Sequence, residues 1–202
     1  DWSSDVCSSD LFILAKLEER GLDPVADTNR ASLLRRLTFD LTGLPPSPKQ
    51  MELYLPDGSD DATERLIDRL LDSPRYGERW GRHWLDVVRF AESSGGGRTL
   101  LFPDAWRYRD YVIQAFNQDL PFDEFVKEQI AGDLLPTKGR IDRQRKIVAT
   151  GFLMLGPTNY EMQDKDILEM DVVDEQLDTM GKAMLGMTIG CEIGRASCRE
   201  RV

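Results

Sequence analysis

Histidine is nearly missing from this chain: His83 is the single one among 202 residues, so no His-Glu-x-x-His zinc pair can be formed. Cysteine is scarce as well. The three cysteines, at 7, 191 and 198, are an odd number and do not build a disulfide framework. The Cys-x6-Cys spacing of Cys191 and Cys198 matches no common zinc or redox pattern. Long hydrophobic runs are absent: Ile147–Leu155, among the longest, is interrupted by Thr150 and Gly151, and a membrane span needs about 18–20 apolar residues. The first ten residues lack both the basic and the apolar region of a signal peptide. Positive charge is also in deficit. A net charge of -10 argues against a general nucleic-acid binder, which neutralises phosphates with a basic surface.

Two structural signatures are missing too. Period-two alternation flanked by hairpin turns does not occur, which removes the usual evidence for strands. "ESSGGGR" is Gly-rich but lacks the Gly-Lys-Ser/Thr ending and preceding strand of a phosphate loop, and no Gly-x-Ser-x-Gly elbow is present. It reads as a connection.

What remains is a sequence of 41% apolar and 31% charged residues, a soluble globular composition. Its length suits one ordinary domain or a compact pair. Nearly every segment carries helical spacing. Phe12–Arg20 is stopped by Gly21, and Asn29–Leu41, with Asp27 and Thr28 as cap candidates, carries Leu33, Leu34, Leu37 and Leu41 at helical spacing before "TGLPPSP" ends it. Ser47 caps a short helix to about Leu55. "DGSDDATERLIDRLLDSP" follows, with Leu66, Ile67, Leu70 and Leu71 apolar and Arg65 and Arg69 wet. Ser73-Pro74 breaks that helix and opens the next, whose expected apolar face is Trp80, Trp84, Val87, Val88 and Ala91. Further helices are expected from Asp104 and between Pro121 and Gly132. Ile147–Leu155 is an apolar segment long enough to be a buried helix, and its β-branched content leaves a strand as the alternative. Met162–Leu185 reads as one long helix with an apolar stripe of Val173, Leu177, Met180 and Met184. The expected fold is all-α: a single irregular multi-helix domain of six to nine helices.

Charge is unevenly spread. Residues 75–109 carry seven Arg against four acidic residues, while residues 160–178 carry eight acidic residues against Lys165. Asp171, Asp174, Glu175 and Asp178 fall at i, i+3, i+4 and i+7, one acidic stripe beside the apolar one. Such a stripe can bind a hard cation, hold an acid/base pair or simply pair with the Arg-rich segment. His83, Asp174, Glu175 and Asp178 are the candidate catalytic residues, although the sequence sets no nucleophile beside His83. The aromatic group Trp80, Trp84, Trp106, Tyr108, Tyr111 and Phe116 reads first as core and second as a carbohydrate platform.

Both ends depart from this periodicity. "DWSSDVCSSDL" and "EIGRASCRERV" resemble translated sequencing-adapter read-through, which arises in reading frames assembled from mixed DNA. On that reading residues 1–11 and 192–202 are artefact and residues 12–191 are a truncated helical domain.

Four stretches bear a family resemblance: "LLRRLTFDLTGLPPSP", "LLDSPRYGERWGRHWLDVVRFAES", "FVKEQIAGDLLP" and "DEQLDTMGKAMLGMTIGC". They resemble the helical domain of unknown function in large planctomycete-type proteins that carry cytochrome c modules. The resemblance implies an extracytoplasmic parent, periplasmic or extracellular, with neighbouring domains and a cytochrome c module as partners. In that family the stretch like "LGMTIGC" continues into Cys-x-x-Cys-His, the signature of covalent haem attachment. Cys191 corresponds to the first cysteine, but Gly194 and Arg195 stand where the second cysteine and the histidine would be. The expectation is no cofactor in this chain and haem c in the intact parent. The implied function is a redox-linked module; the alternatives are a hydrolytic or carbohydrate-acting domain using His83 and the acidic stripe, and a structural scaffold.

Overall fold

The computed structural model describes residues 8–95 and 99–189. These contain nine α-helices and no strand, the all-α fold expected from the spacing of apolar residues. The first four are α1 (Ser8–Glu19), α2 (Arg30–Thr42), α3 (Pro48–Tyr54) and α4 (Ala62–Leu71). Then come α5 (Pro74–Val87), α6 (Ala105–Asn117), α7 (Phe122–Ala131), α8 (Arg140–Ala149) and α9 (Lys165–Met180).

Local chemistry explains many of these boundaries. The Asn29 side chain accepts the Ser32 N–H at 2.9 Å to start α2, and Gly43 at φ 71° closes it. At α3, Ser47 and Gln50 form a reciprocal capping box, with Pro48 in the first turn, where its missing N–H costs nothing. Ser73 and Pro74 repeat the cap-and-proline start at α5. On the exposed side of α4, Arg65 bridges Asp57 at 2.6 Å and Asp61, as expected for a wet-face residue.

Two apolar clusters form the interior. Leu34, Tyr54, Ala62, Leu66 and Leu70 join α2, α3 and α4. The larger cluster gathers Trp84, Leu85, Val88, Tyr108, Tyr111, Val112, Ala115, Phe125, Ala149 and Phe152 from α5 to α8 and the turn after α8. Helix α5 packs against both α2 and α6 and so links the clusters.

The α5 contact with α6 differs from the expected aromatic face. The buried line runs through Gly77, Gly81, Trp84, Leu85 and Val88, while Trp80 and Val87 remain 38% and 45% exposed. Glycine is needed at 77 because a Cβ there would lie 2.4 Å from the Ile113 carbonyl oxygen. The close approach lets the Gly77 N–H donate to Asn117 Oδ1 at 2.8 Å.

Three further boundaries moved. Helix α1 begins at Ser8, ahead of Phe12. The segment Ile147–Leu155 is neither one helix nor a strand: α8 starts at Arg140 and gives way at Thr150–Leu153 to a single 3-10 turn. The polar start of α8 hides it from an apolar periodicity; Ile141 is 84% exposed, and the helix is tied down by Asp142 bonding to Arg145 and Lys146. Helix α9 starts at Lys165, because the Asp164 carboxylate caps the N–H groups of Asp166 and Ile167, and it widens into a π turn at Gly181–Leu185. Its expected apolar stripe divides: Met180 and Met184 pack on the larger cluster, whereas Val173 and Leu177 are each 40% exposed.

Candidate functional site

Two polar constructions stand out, one buried and one open. In the buried one, α7 directs Glu128 and Gln129 into the larger cluster; they are 3% and 0% exposed. The Arg145 guanidinium from α8 donates to both Glu128 carboxylate oxygens at 2.6 Å, and the Tyr111 hydroxyl donates to Oε2 at 3.0 Å. Beside it, Trp84 Nε1 donates to Gln129 Oε1 at 3.0 Å and to the Tyr108 hydroxyl at 3.1 Å, while Tyr108 donates to Gln129. Burial pushes both tyrosine hydroxyls well above their ordinary pKa, and at Tyr111 the Glu128 charge adds to the effect. They act as neutral donors. Every member of this network has a partner, so it fixes how α5, α6, α7 and α8 meet. Sequence reasoning missed it, because adjacent polar residues within a short helix do not announce which way they point.

The open construction is a groove of about 480 Å³ between α9 and the 157–159 segment. Asp171, Asp174, Glu175 and Asp178 all line it, so the acidic stripe does converge on one surface. Glu175 is joined to Arg89 at 2.7 Å, and Asp178 forms an ion pair with Lys182. Arg89 follows the end of α5 with φ 53°, a left-handed conformation held by the Phe90 N–H donating to the Leu85 carbonyl at 2.9 Å. Its guanidinium lies against Gly156, where a Cβ would come within 2.2 Å of Nη1. That Nη1 is buried without a hydrogen-bond partner among the described residues.

The loop below the groove is stitched to it: the Ser94 N–H donates to the Leu100 carbonyl at 2.9 Å, the Leu100 N–H donates to Ser94 Oγ at 3.0 Å, and the Thr158 N–H donates to the Ser94 carbonyl at 2.9 Å. The expected pairing of the Arg-rich segment with the acidic stripe is therefore realised at Arg89 and Glu175. Other arginines of that segment pair nearby: Arg75 with Glu78, Arg82 with Asp86, and Arg107 with Asp104.

His83 is placed elsewhere. It is exposed on α5, its ring edge-on to Trp80 at 5.4 Å between centroids, and it does not line the groove. Thus the structure brings Asp174, Glu175 and Asp178 together but does not join His83 to them. Among the described residues, no group of three or more His, Cys, Asp and Glu side chains has the geometry to hold a metal ion. The expected aromatic group splits as well: Trp84, Tyr108 and Tyr111 are buried, while Trp80 and Trp106 sit at the surface. Cys191 lies outside the described residues.

Helices, two apolar clusters and a groove walled by an acidic helix define an all-α domain. Among the described residues, no helix is long and apolar enough to cross a membrane. The chain belongs to the family described as Protein of unknown function (DUF1549), whose family model, PSCyt2, matches residues 8–199. No curated protein and no solved structure matches it.

Proposed function

We propose that this chain is a docking module of a larger extracytoplasmic protein linked to c-type cytochromes, with α9 as the surface offered to a neighbouring domain. The observation that carries the reading is the uncovered stripe of Ile167, Met170, Val173 and Leu177, which are 49%, 60%, 40% and 40% exposed. A line of apolar side chains on one helix face is a common form of docking surface. The acidic groove beside it favours a partner face rich in Lys and Arg, because complementary charge steers and registers the encounter. Cys191, the first cysteine of the cytochrome-like stretch, follows α9 in the chain, and this supports a cytochrome module as the neighbour.

The test uses the full-length gene product, matured with a haem-attachment system. A covalent haem absorption band is expected. The double substitution Val173→Asp, Leu177→Asp is expected to expose the inter-domain connection to limited proteolysis. Haem without changed cleavage rejects α9 as the docking face, and a folded product without haem rejects the cytochrome link. The hydrolytic alternative requires His83 and the acidic residues in one site, a placement that their positions do not favour.

A further inference from the structure

We propose that the pocket between α5, α6 and α7 binds an organic ammonium cation. Its volume of about 340 Å³ lies in the range of small-molecule sites. Five aromatic rings line it: Tyr76 and Trp84 from α5, Phe116 from α6, and Phe122 and Phe125 from α7. Trp84 and Phe125 form the buried base, edge to face at 4.9 Å between centroids. Phe122 meets Trp84 at 6.3 Å, and Phe116 meets Phe125 at 6.0 Å, both also edge to face. A lining this rich in aromatic rings suits a positive charge, which ring faces attract through their quadrupoles.

Asp119 is the one charged residue of the lining, and two local features oppose its presence there. It follows α6 at φ 49°, held by its N–H donating to the Phe116 carbonyl at 3.2 Å and the Leu120 N–H donating to the Ala115 carbonyl at 3.0 Å. This is the position after a helix end that glycine ordinarily occupies, since a Cβ is strained in the left-handed region. A carboxylate there also adds negative charge to the negative end of the helix dipole. Asp119 is exposed at the mouth of the pocket, and its carboxylate makes no hydrogen bond or ion pair within the described residues, so it is open to an incoming cation. The one cation of α7, Lys127, is bonded to Asp123 at 2.8 Å and Glu124 at 3.0 Å. A carboxylate of the wrong sign for its helix end, open to solvent and without a protein partner, thus stands at the mouth of an aromatic pocket. A cationic guest answers the charge, and the rings answer its methyl or methylene shell. The ligand class is an alkylated ammonium head, either of a free amine or of a choline lipid. Helix α9 contributes nothing to this pocket, so the inference stands apart from the docking role.

The test is calorimetric titration of the chain with choline and with 3,3-dimethylbutan-1-ol, its neutral isostere. Choline is expected to bind saturably and about fivefold or more tighter than the isostere. Asp119→Asn keeps the shape and tolerates the left-handed backbone, so it is expected to reduce that preference to the part the rings supply, while leaving the thermal transition in place. Phe122→Ala is expected to weaken both ligands. Sedimentation with phosphatidylcholine vesicles that Asp119→Asn abolishes identifies the lipid head as the source, and soluble binding without sedimentation identifies the free amine. Equal affinity for ion and isostere, a preference unchanged in Asp119→Asn, or no saturable choline binding overturns the proposal.

Discussion

Alanine substitutions at Gly77 and Gly81, one helical turn apart on α5, should change stability in opposite directions. In a helix interior, Gly→Ala gains about 1 kcal/mol of intrinsic propensity. At Gly81 the new Cβ would meet Val112 Cγ1 at 3.4 Å and Ile113 Cγ1 at 3.5 Å, ordinary contacts that keep that gain. Gly81→Ala is therefore expected to be stabilising by up to about 1 kcal/mol. At Gly77 the Cβ would lie 2.4 Å from the Ile113 carbonyl oxygen and 2.6 Å from Asn117 Oδ1. Non-bonded carbon contacts settle near 3.5–4.0 Å, so α5 and α6 must part by about 1 Å. Parting strains the packing by about 1–3 kcal/mol and weakens the 2.8 Å bond from the Gly77 N–H to Asn117, worth about 1 kcal/mol. Net of propensity, Gly77→Ala is expected to destabilise by about 1–3 kcal/mol. Urea unfolding, followed both by far-ultraviolet circular dichroism and by tryptophan fluorescence, measures the difference; coincident transitions validate a two-state treatment. Equal midpoints for the two variants, or a more stable Gly77→Ala, would refute the close α5–α6 approach.

Other consequences are open to the same measurements. Glu128→Gln removes the charge that meets Arg145 and Tyr111, and it should cost about 2–3 kcal/mol by thermal unfolding, moderated because water reaches part of Arg145. Adding Arg145→Met to Glu128→Leu should recover part of that loss; a double variant no better than the sum of the singles would contradict the pairing. Acid stability should show Asp142, held at about 2 against an ordinary 3.8 first by the Lys138 N–H and then by Lys146 and Arg145. Because its folded value is depressed, its contribution is present above about 3.8 and lost as pH falls toward about 2. Asp142→Asn should flatten the fall of melting temperature through that window. Asp57, held at about 2 chiefly by Ser59 and then by Arg65, titrates in the same range, so Asp57→Asn should flatten it further. An unchanged pH profile in the double variant would sink both assignments.

Much of the fold was legible because helix ends and apolar spacing are local. The Ser47 cap and the Ser73-Pro74 start act within a few residues, and a side chain that caps its own helix needs nothing from the rest of the molecule; at α2 the cap is Asn29 rather than the expected Asp27 or Thr28. Leu66 and Leu70 on α4 were correctly placed inside and Arg65 outside by the same periodicity. The site was legible only in part. The acidic stripe of α9 could be read because one helix sets the spacing of Asp171, Asp174, Glu175 and Asp178. That His83 would be exposed beside Trp80 depended on which face of α5 met its neighbours. Helix α8 was missed because its polar turns are stabilised by a partner carboxylate on α7, a contact without any periodic signal.

The amino-acid sequence by itself determined that this protein is helical and acidic, because both properties follow from residue type and spacing. Only the tertiary structure decided what the helices enclose. Gly77 and Gly81, rather than Trp80, became the contact line of α5, because two backbones can approach that closely only where side chains are missing. Arg89 reached Glu175 across 86 positions of sequence, and five rings and Asp119 met in one pocket, because packing brings distant residues together without leaving a pattern along the chain.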